Sequence, residues 1–374
     1  MKKITFLTAT AVALIFVASC GRNVSKQTSA ESEAAAQQQE ATAQQQPEPQ
    51  QPDEPDVTVY VVGHESNKDG ETFAVLWKNG KPIRLPGNKK PDEIGIGSIF
   101  ITEDNTVCVA GEIDYTAVFW KVRGNDVETF DLDVSRGSYV ASICGTRSGD
   151  VYLAGEDNGE PVIWKISGSK IIKQTLSAED LGSVQVSSMY ITPDGDIYVT
   201  GYRIDQYTAV LWKNGKEQRM AEAKYAEFTD VYVTGEGVVY VVGGRNPKPT
   251  LWINGTPQPL FDYDDEYSTM IPQSLFVTDN GDIYTAGYNY PSDRCTPIVI
   301  KNKIKQILDY NGWNAIANSV FVTPGGDVYV TGKAFKDKEE RAILWINGTP
   351  RLLADGAALS SANCVFVTQK TVSR

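Results

Sequence analysis

One unit, SVFVTPGGDVYVTGKAFKDKEERAILWINGTPRLL from Ser319 to Leu353, recurs along almost everything after the first sixty residues. A fixed repeat of this length limits the chain to a stacked or radial array of one supersecondary unit. The unit has a period of two and is rich in β-branched and aromatic residues, so it is built of strands. Apolar runs leading to a glycine recur at Gly63, Gly111, Gly155, Gly201, Gly243, Gly287 and Gly332, the expected ends of second strands. Their spacing of about 42 to 48 residues fits a four-stranded unit. The expected fold is therefore all-β, a seven-bladed β-propeller with four-stranded blades.

Third strands read AVLWKNG at Ala74, AVFWKVRG at Ala117, VIWKISG at Val162, AVLWKNG at Ala209, TLWING at Thr250 and AILWING at Ala342, while blade six has IVIKNK with Ile300 in the tryptophan slot. Six large rings at one repeat position are expected to be core. First strands open at Ser98, Ser142, Ser188, Asp230, Ser274 and Ser319, and a seventh copy, Cys364 to Thr368, comes after the last complete blade. The chain thus starts on a second strand and ends on a first strand. The C-terminal strand is expected to pair with Val57 to Gly63, complete the first blade and close the ring, which removes open sheet edges. Asp230, the one carboxylate in the small-residue slot, is expected to hydrogen-bond nearby loop backbone.

Two kinds of connection alternate. The first-to-second links, such as Pro193-Asp194-Gly195-Asp196, and the third-to-fourth Asn-Gly links at Asn79, Asn214, Asn254 and Asn347 are tight hairpin signals. They belong to one face. The other face collects longer, variable loops, where binding usually resides. These include His64 to Glu71, Tyr202 to Tyr207, Phe261 to Pro272, Tyr288 to Cys295, Asp309 to Ala317 and Lys333 to Arg341. The candidate ligand-binding residues are Tyr263, Tyr267, Tyr288, Tyr290, Tyr310 and Trp313 with Asp264 and Asp265 beside them. Exposed rings with carboxylates suit a sugar or a basic peptide; the alternative is that the rings pack their own loops.

For chemistry the motif inventory is thin. His64 is the single histidine, no signature pairs it with a nucleophile, and it is read as a loop or hydrogen-bonding residue. P-loop, dinucleotide-binding and G-x-S-x-G motifs are absent, as is the sialidase-type S-x-D-x-G-x-T-W box. No catalytic residue is assigned and no cofactor is expected. Acidic turns such as Asp279 to Asp282 lack the spacing of a calcium loop, and one histidine makes a zinc site improbable. Cys108, Cys144, Cys295 and Cys364 have no CxxC spacing and are expected to be packing residues. A formal net charge of -12 repels phosphate backbones and excludes nucleic acid as a partner.

At the N-terminus Lys2 and Lys3 precede an apolar run from Ile4 to Val17, the layout of an export signal. Val17-Ala18-Ser19-Cys20 resembles a bacterial lipobox, which implies removal of residues 1–19, lipid on Cys20 and membrane attachment through it. Gly21 favours the outer membrane, with periplasmic or surface orientation open. Residues 20–56, rich in Gln, Ala and Pro, read as a disordered tether spanning on the order of 30 Å. The propeller is expected over 57–368, with a tail at 369–374.

The LWKNG and GDVYVTG elements resemble uncharacterised bacterial secreted and lipoprotein propellers and are loosely similar to HAF-type extracellular repeats. The resemblance covers about Val57 to Thr368 and implies fold and export, without transferable catalytic residues. The loops, the lipobox and the thin motif inventory together lead to the expectation of a monomeric, lipid-anchored cell-envelope scaffold that captures a glycan or an envelope protein on the variable-loop face and is not an enzyme. The alternatives are a carbohydrate-active hydrolase or lyase using loop carboxylates, or an envelope-assembly scaffold.

Overall fold

The computed structural model describes residues 57–89, 94–146, 149–177, 183–245, 248–262, 270–290, 294–310, 312–354 and 359–370. The expected signal segment, Cys20 and the tether lie outside the described residues, as do Tyr263, Asp264, Asp265 and Tyr267.

Seven antiparallel sheets of four strands each form the blades. Blade five is representative: Ala226–Val233, Val239–Arg245, Lys248–Ile253 and Thr256–Pro259 pair in chain order from the first strand to the fourth. Blade one takes its first strand from the far end of the chain. Leu359–Gln369 pairs antiparallel with Val57–Ser66, Thr58 opposite Thr368 and Val61 opposite Val365, so the ring closes as the strand count requires.

The tryptophan column is core. Trp77, Trp120, Trp164, Trp212, Trp252 and Trp345 are fully buried, and Ile300 fills the same slot in blade six. Several indoles also fix the segment that leads into their own blade: Trp212 Nε1 donates to Ser177 O at 2.6 Å and Trp252 Nε1 to Ala221 O at 3.0 Å. The Asn-Gly links have a second duty beyond the turn. Asn214 and Gly215 both take positive φ, +51° and +79°, as the type I′ hairpin demands. The Asn214 side chain meanwhile accepts from Ile197 N at 2.8 Å and donates to Asp196 Oδ1 at 2.8 Å, clasping the neighbouring first-to-second turn. Asn302 and Asn347 repeat the clasp on Asp282 and Asp327.

The structure corrects the expectation that each glycine ends its second strand. In blades one and seven these strands continue to Ser66 and Lys336. Each glycine instead faces a one-residue bulge in the first strand, as between Ile96 and Ser98 or between Ala317 and Ser319. A Cβ on Gly63 or Gly332 would lie 1.9 Å from a first-strand carbonyl oxygen, so only glycine fits.

The small-residue slot is a clasp between blades. Ser274 Oγ accepts from Val320 N at 3.2 Å and Ser319 Oγ from Val365 N at 3.4 Å, each in the following blade. Asp230 does the same with more reach: it accepts from Leu275 N at 2.7 Å, Ser188 Oγ at 2.6 Å and its neighbour Val231 N at 2.8 Å. Its partners are strands of the flanking blades and not loop backbone. Two residues further along the first strands, Phe100, Phe366, Phe321, Phe276, Tyr232 and Tyr190 form a chain of ring contacts with centroids 4.8 to 6.0 Å apart. These rings run from blade to blade on the side of the tight turns. The thiol of Cys144 occupies the one break and donates to Met189 O at 3.0 Å. All four propeller cysteines are free, and burial pushes the Cys108 and Cys144 thiols up to about 12.

Candidate functional site

Because the bulge lies opposite each second-strand glycine, the residue after that glycine takes the same structural position in every blade, on the variable-loop side. Those residues are His64, Glu112, Glu156, Tyr202, Gly244, Tyr288 and Lys333. Their third-strand partners are Ala74, Ala117, Pro161, Ala209, Pro249, Pro297 and Ala342, all small or cyclic. The tryptophan, bulge-glycine and serine columns each hold essentially one residue type for packing. This one holds six titratable side chains and a gap.

Some of these side chains act on one another across blade boundaries. His64 of blade one lies in the field of the Lys333 ammonium of blade seven, whose Nζ is 3.1 Å from both Glu340 carboxylate oxygens. Burial, then Lys333, lowers the imidazole pKa, with Glu340 opposing. No hydrogen bond engages either ring nitrogen of His64 among the described residues. On its other side, in blade two, Glu112 folds over Gly95, where a Cβ would come within 2.7 Å of its Oε1. Burial raises the Glu112 pKa.

Glu156 in blade three is held more firmly. Its Oε1 accepts from Tyr139 Oη at 2.5 Å and from Val186 N of blade four at 3.1 Å. Burial raises its pKa in spite of those bonds. Burial likewise raises the phenols of Tyr202, beside Glu227, Glu156 and Tyr207, and of Tyr288, beside Cys295 and Glu227. The band thus runs from Glu156 through Tyr202, Glu227 and Tyr288 to Lys333, His64 and Glu112.

Of the sequence candidates, Tyr288 belongs to this band and Tyr290 is an exposed neighbour. Tyr310 and Trp313 are partly buried against the core of blades six and seven, with Trp313 N donating to Tyr310 O at 3.1 Å. His64, Glu112, Glu156 and Lys333 lie in no local motif; aligning the blades as columns finds them. Among the described residues no group of three or more His, Cys, Asp or Glu side chains is placed to hold a metal.

Beside the band, between blades four and six, opens a cleft of about 620 Å³ lined by Tyr202, Ile204, Tyr207, Tyr225, Glu227, Gly244, Arg245 and Met270. Its size is that of a small-molecule site. The loops on its wall are tied together: Ala209 N donates to Ala223 O at 2.9 Å and Thr208 bridges Lys224.

No protein-family model matches the sequence, and no curated protein does. Solved structures share the fold. A streptogramin B lyase superposes with a TM-score of 0.50 at 12% identity, over 83% of this chain and 93% of that one. A protein from Lactobacillus plantarum gives 0.56 at 12% identity, over 83% and 99%. Puromycin hydrolase gives 0.55 at 12% identity, over 81% of this chain and 52% of that one.

These findings correct the kinship read from the repeats. LWKNG and GDVYVTG are explained as blade hardware, the indole core, the Asn clasp and the bulge glycine, and mark no lipoprotein family. The structures that share the fold include a lyase and a hydrolase, so the expectations of a passive glycan- or protein-capturing scaffold and of a non-enzyme are withdrawn. The lipid-anchored, outer-membrane location and the membrane partnership through Cys20 were read from residues 17–21, which lie outside the described residues, and are withdrawn with the scaffold reading in view of the lyase and hydrolase that share the fold. No helix among the described residues is long and apolar enough to cross a membrane.

Proposed function

We propose that the chain is an enzyme of the lyase type, working by acid–base catalysis in the band at the variable-loop end, and that its reaction is the elimination of a C–O bond. The observation that carries this reading is the order of three adjacent blades: cation, imidazole with a lowered pKa, carboxyl with a raised pKa. His64, in the field of Lys333 and in the blade next to that of Glu112, is a base whose nitrogens are unengaged and whose proton affinity is kept low by burial.

In the elimination, His64 takes the proton from a carbon made acidic by a neighbouring carbonyl. The negative charge that develops on the carbonyl oxygen is stabilised by the Lys333 ammonium, which Glu340 holds in place. The bond from the next carbon to oxygen then breaks, its electrons going to the leaving oxygen, and the Glu112 carboxyl supplies the proton. The absence of a serine or cysteine in the column favours elimination over an acyl-enzyme route. The lyase name among the structures of this fold supports the class.

A panel of β-alkoxy and β-acyloxy carbonyl compounds, cyclic esters and uronate-containing glycans tests the reading. Turnover should appear as the ultraviolet absorbance of a new conjugated double bond and should fall about 10²- to 10⁴-fold in His64→Ala. Absence of turnover across the panel, or turnover equal in wild type and variant, would sink it.

A further inference from the structure

Gly244 is the only member of the column without a side chain, and nothing in the backbone asks for glycine there. Its φ is not in the left-handed region, and a Cβ would meet no atom closer than 3.6 Å, the Glu227 Oε1. Its neighbour Gly243 differs, since a Cβ there would strike Glu227 O at 2.0 Å. Gly243 builds the bulge; Gly244 leaves an opening in the band, and the cleft lies at that opening.

The cleft has a definite chemistry. Tyr207 and Tyr225 are 66% and 58% exposed, so their rings are open to a ligand. Both hold positive φ, +48° and +57°, a region costly for an aromatic residue and retained mostly where surroundings or function require it. With Tyr202 they supply π-faces, and Ile204 and Met270 add apolar surface. Among the described residues two charged ones also line the cleft. Arg245 is paired with Glu222, whereas Glu227 has no cationic partner among the described residues. Among the described residues the net charge of the lining therefore comes from Glu227, in a chain already at -12.

We infer that this cleft is the specificity subsite of the enzyme and takes a cationic amine carried on an apolar or aromatic body. Gly244 is the aperture that admits it. Aromatic faces with one carboxylate attract an alkylammonium through the ring quadrupoles and the charge together, and the apolar wall rejects a strongly hydrated ion. The inference rests on the proposed reaction only for the word substrate; binding can be measured without turnover.

The test uses the full chain and two soluble probes of nearly equal shape, 4-hydroxyphenyltrimethylammonium and its neutral carbon analogue 4-tert-butylphenol, each titrated by calorimetry or ligand-observed NMR. Wild type should prefer the cation by about tenfold, and Glu227→Gln should reduce the preference to within about twofold while leaving the neutral probe unchanged. Gly244→Leu should weaken both probes about tenfold or more, with unchanged thermal unfolding. Equal affinity of wild type for the two probes, or a preference untouched by Glu227→Gln, would overturn the inference, as would full binding by Gly244→Leu. Running the same titrations on His64→Ala separates the two claims. Cation preference without any turnover leaves the subsite standing and removes the reaction, whereas turnover without cation preference does the reverse.

Discussion

Asp230 of blade five accepts a hydrogen bond from Ser188 of blade four at 2.6 Å and another from Leu275 N of blade six at 2.7 Å, so one carboxyl fastens three consecutive blades. Five other blades put serine in this slot, and Ser274 and Ser319 make the forward bond with a hydroxyl. Asp230→Ala should lower stability by about 2 to 3 kcal/mol, because buried donors lose their acceptor. Asp230→Ser should recover most of that loss. Denaturant melts of the two variants decide it, and equal destabilisation by both would refute the clasp.

Ring closure gives a second prediction. Removing 359–374 takes the first strand from blade one and bares the edge of Val57–Ser66. The truncated protein should unfold at lower temperature and self-associate, as light scattering beside a thermal melt would report. An unchanged, monodisperse truncation would contradict the closure.

The tryptophan column and the turn face should separate cleanly. Trp212→Ala removes a fully buried indole and its bond to Ser177, and should cost about 3 to 5 kcal/mol. Asp194→Ala alters an exposed turn and should cost less than about 0.5 kcal/mol. Chemical denaturation of both variants gives the ordering, and the reverse order would be incompatible with the fold.

The pH dependence of turnover is set by the two directions of shift. His64 must be uncharged to act, and its lowered pKa extends activity to acid pH below the ordinary imidazole value. Glu112 must be protonated, and its raised pKa carries the acid form above the ordinary carboxylate range before activity falls. A bell with its acid limb set by His64 and its basic limb by Glu112 is expected. Glu112→Gln should reduce the rate and abolish the basic limb, whereas a profile identical to wild type would exclude Glu112 as the acid. Stability has its own sign. A histidine whose folded pKa is depressed contributes fully above the unfolded value, and the contribution is lost as pH falls from there toward the folded value.

Much of the fold is legible in the sequence because it rests on columns with one residue type each. Trp212 and its five counterparts announce the core, Asn214-Gly215 announces the hairpin, and Cys364 to Thr368 announces the closing strand. The site is hidden for the same reason. His64, Glu112, Glu156 and Lys333 share no motif, and each stands alone beside a glycine that looks like a strand end. Only the bulge reveals that the glycine is mid-strand and that the next residue recurs in every blade. The tyrosines of the cleft were obscured differently. Tyr207 and Tyr225 come from loops of different blades, and the bonds joining those loops, Ala209 to Ala223 above all, are tertiary.

The most direct test of the account reads the protonation of one imidazole. His64 is the single histidine of the chain, so its ring signals in an NMR pH titration are assigned without ambiguity. The midpoint should fall below the ordinary value of about 6.5 and should rise in Lys333→Met, where the neighbouring charge is gone. A midpoint at or above the ordinary value, unmoved by Lys333→Met, would mean that His64 is not the buried, uncharged base on which the proposed chemistry depends.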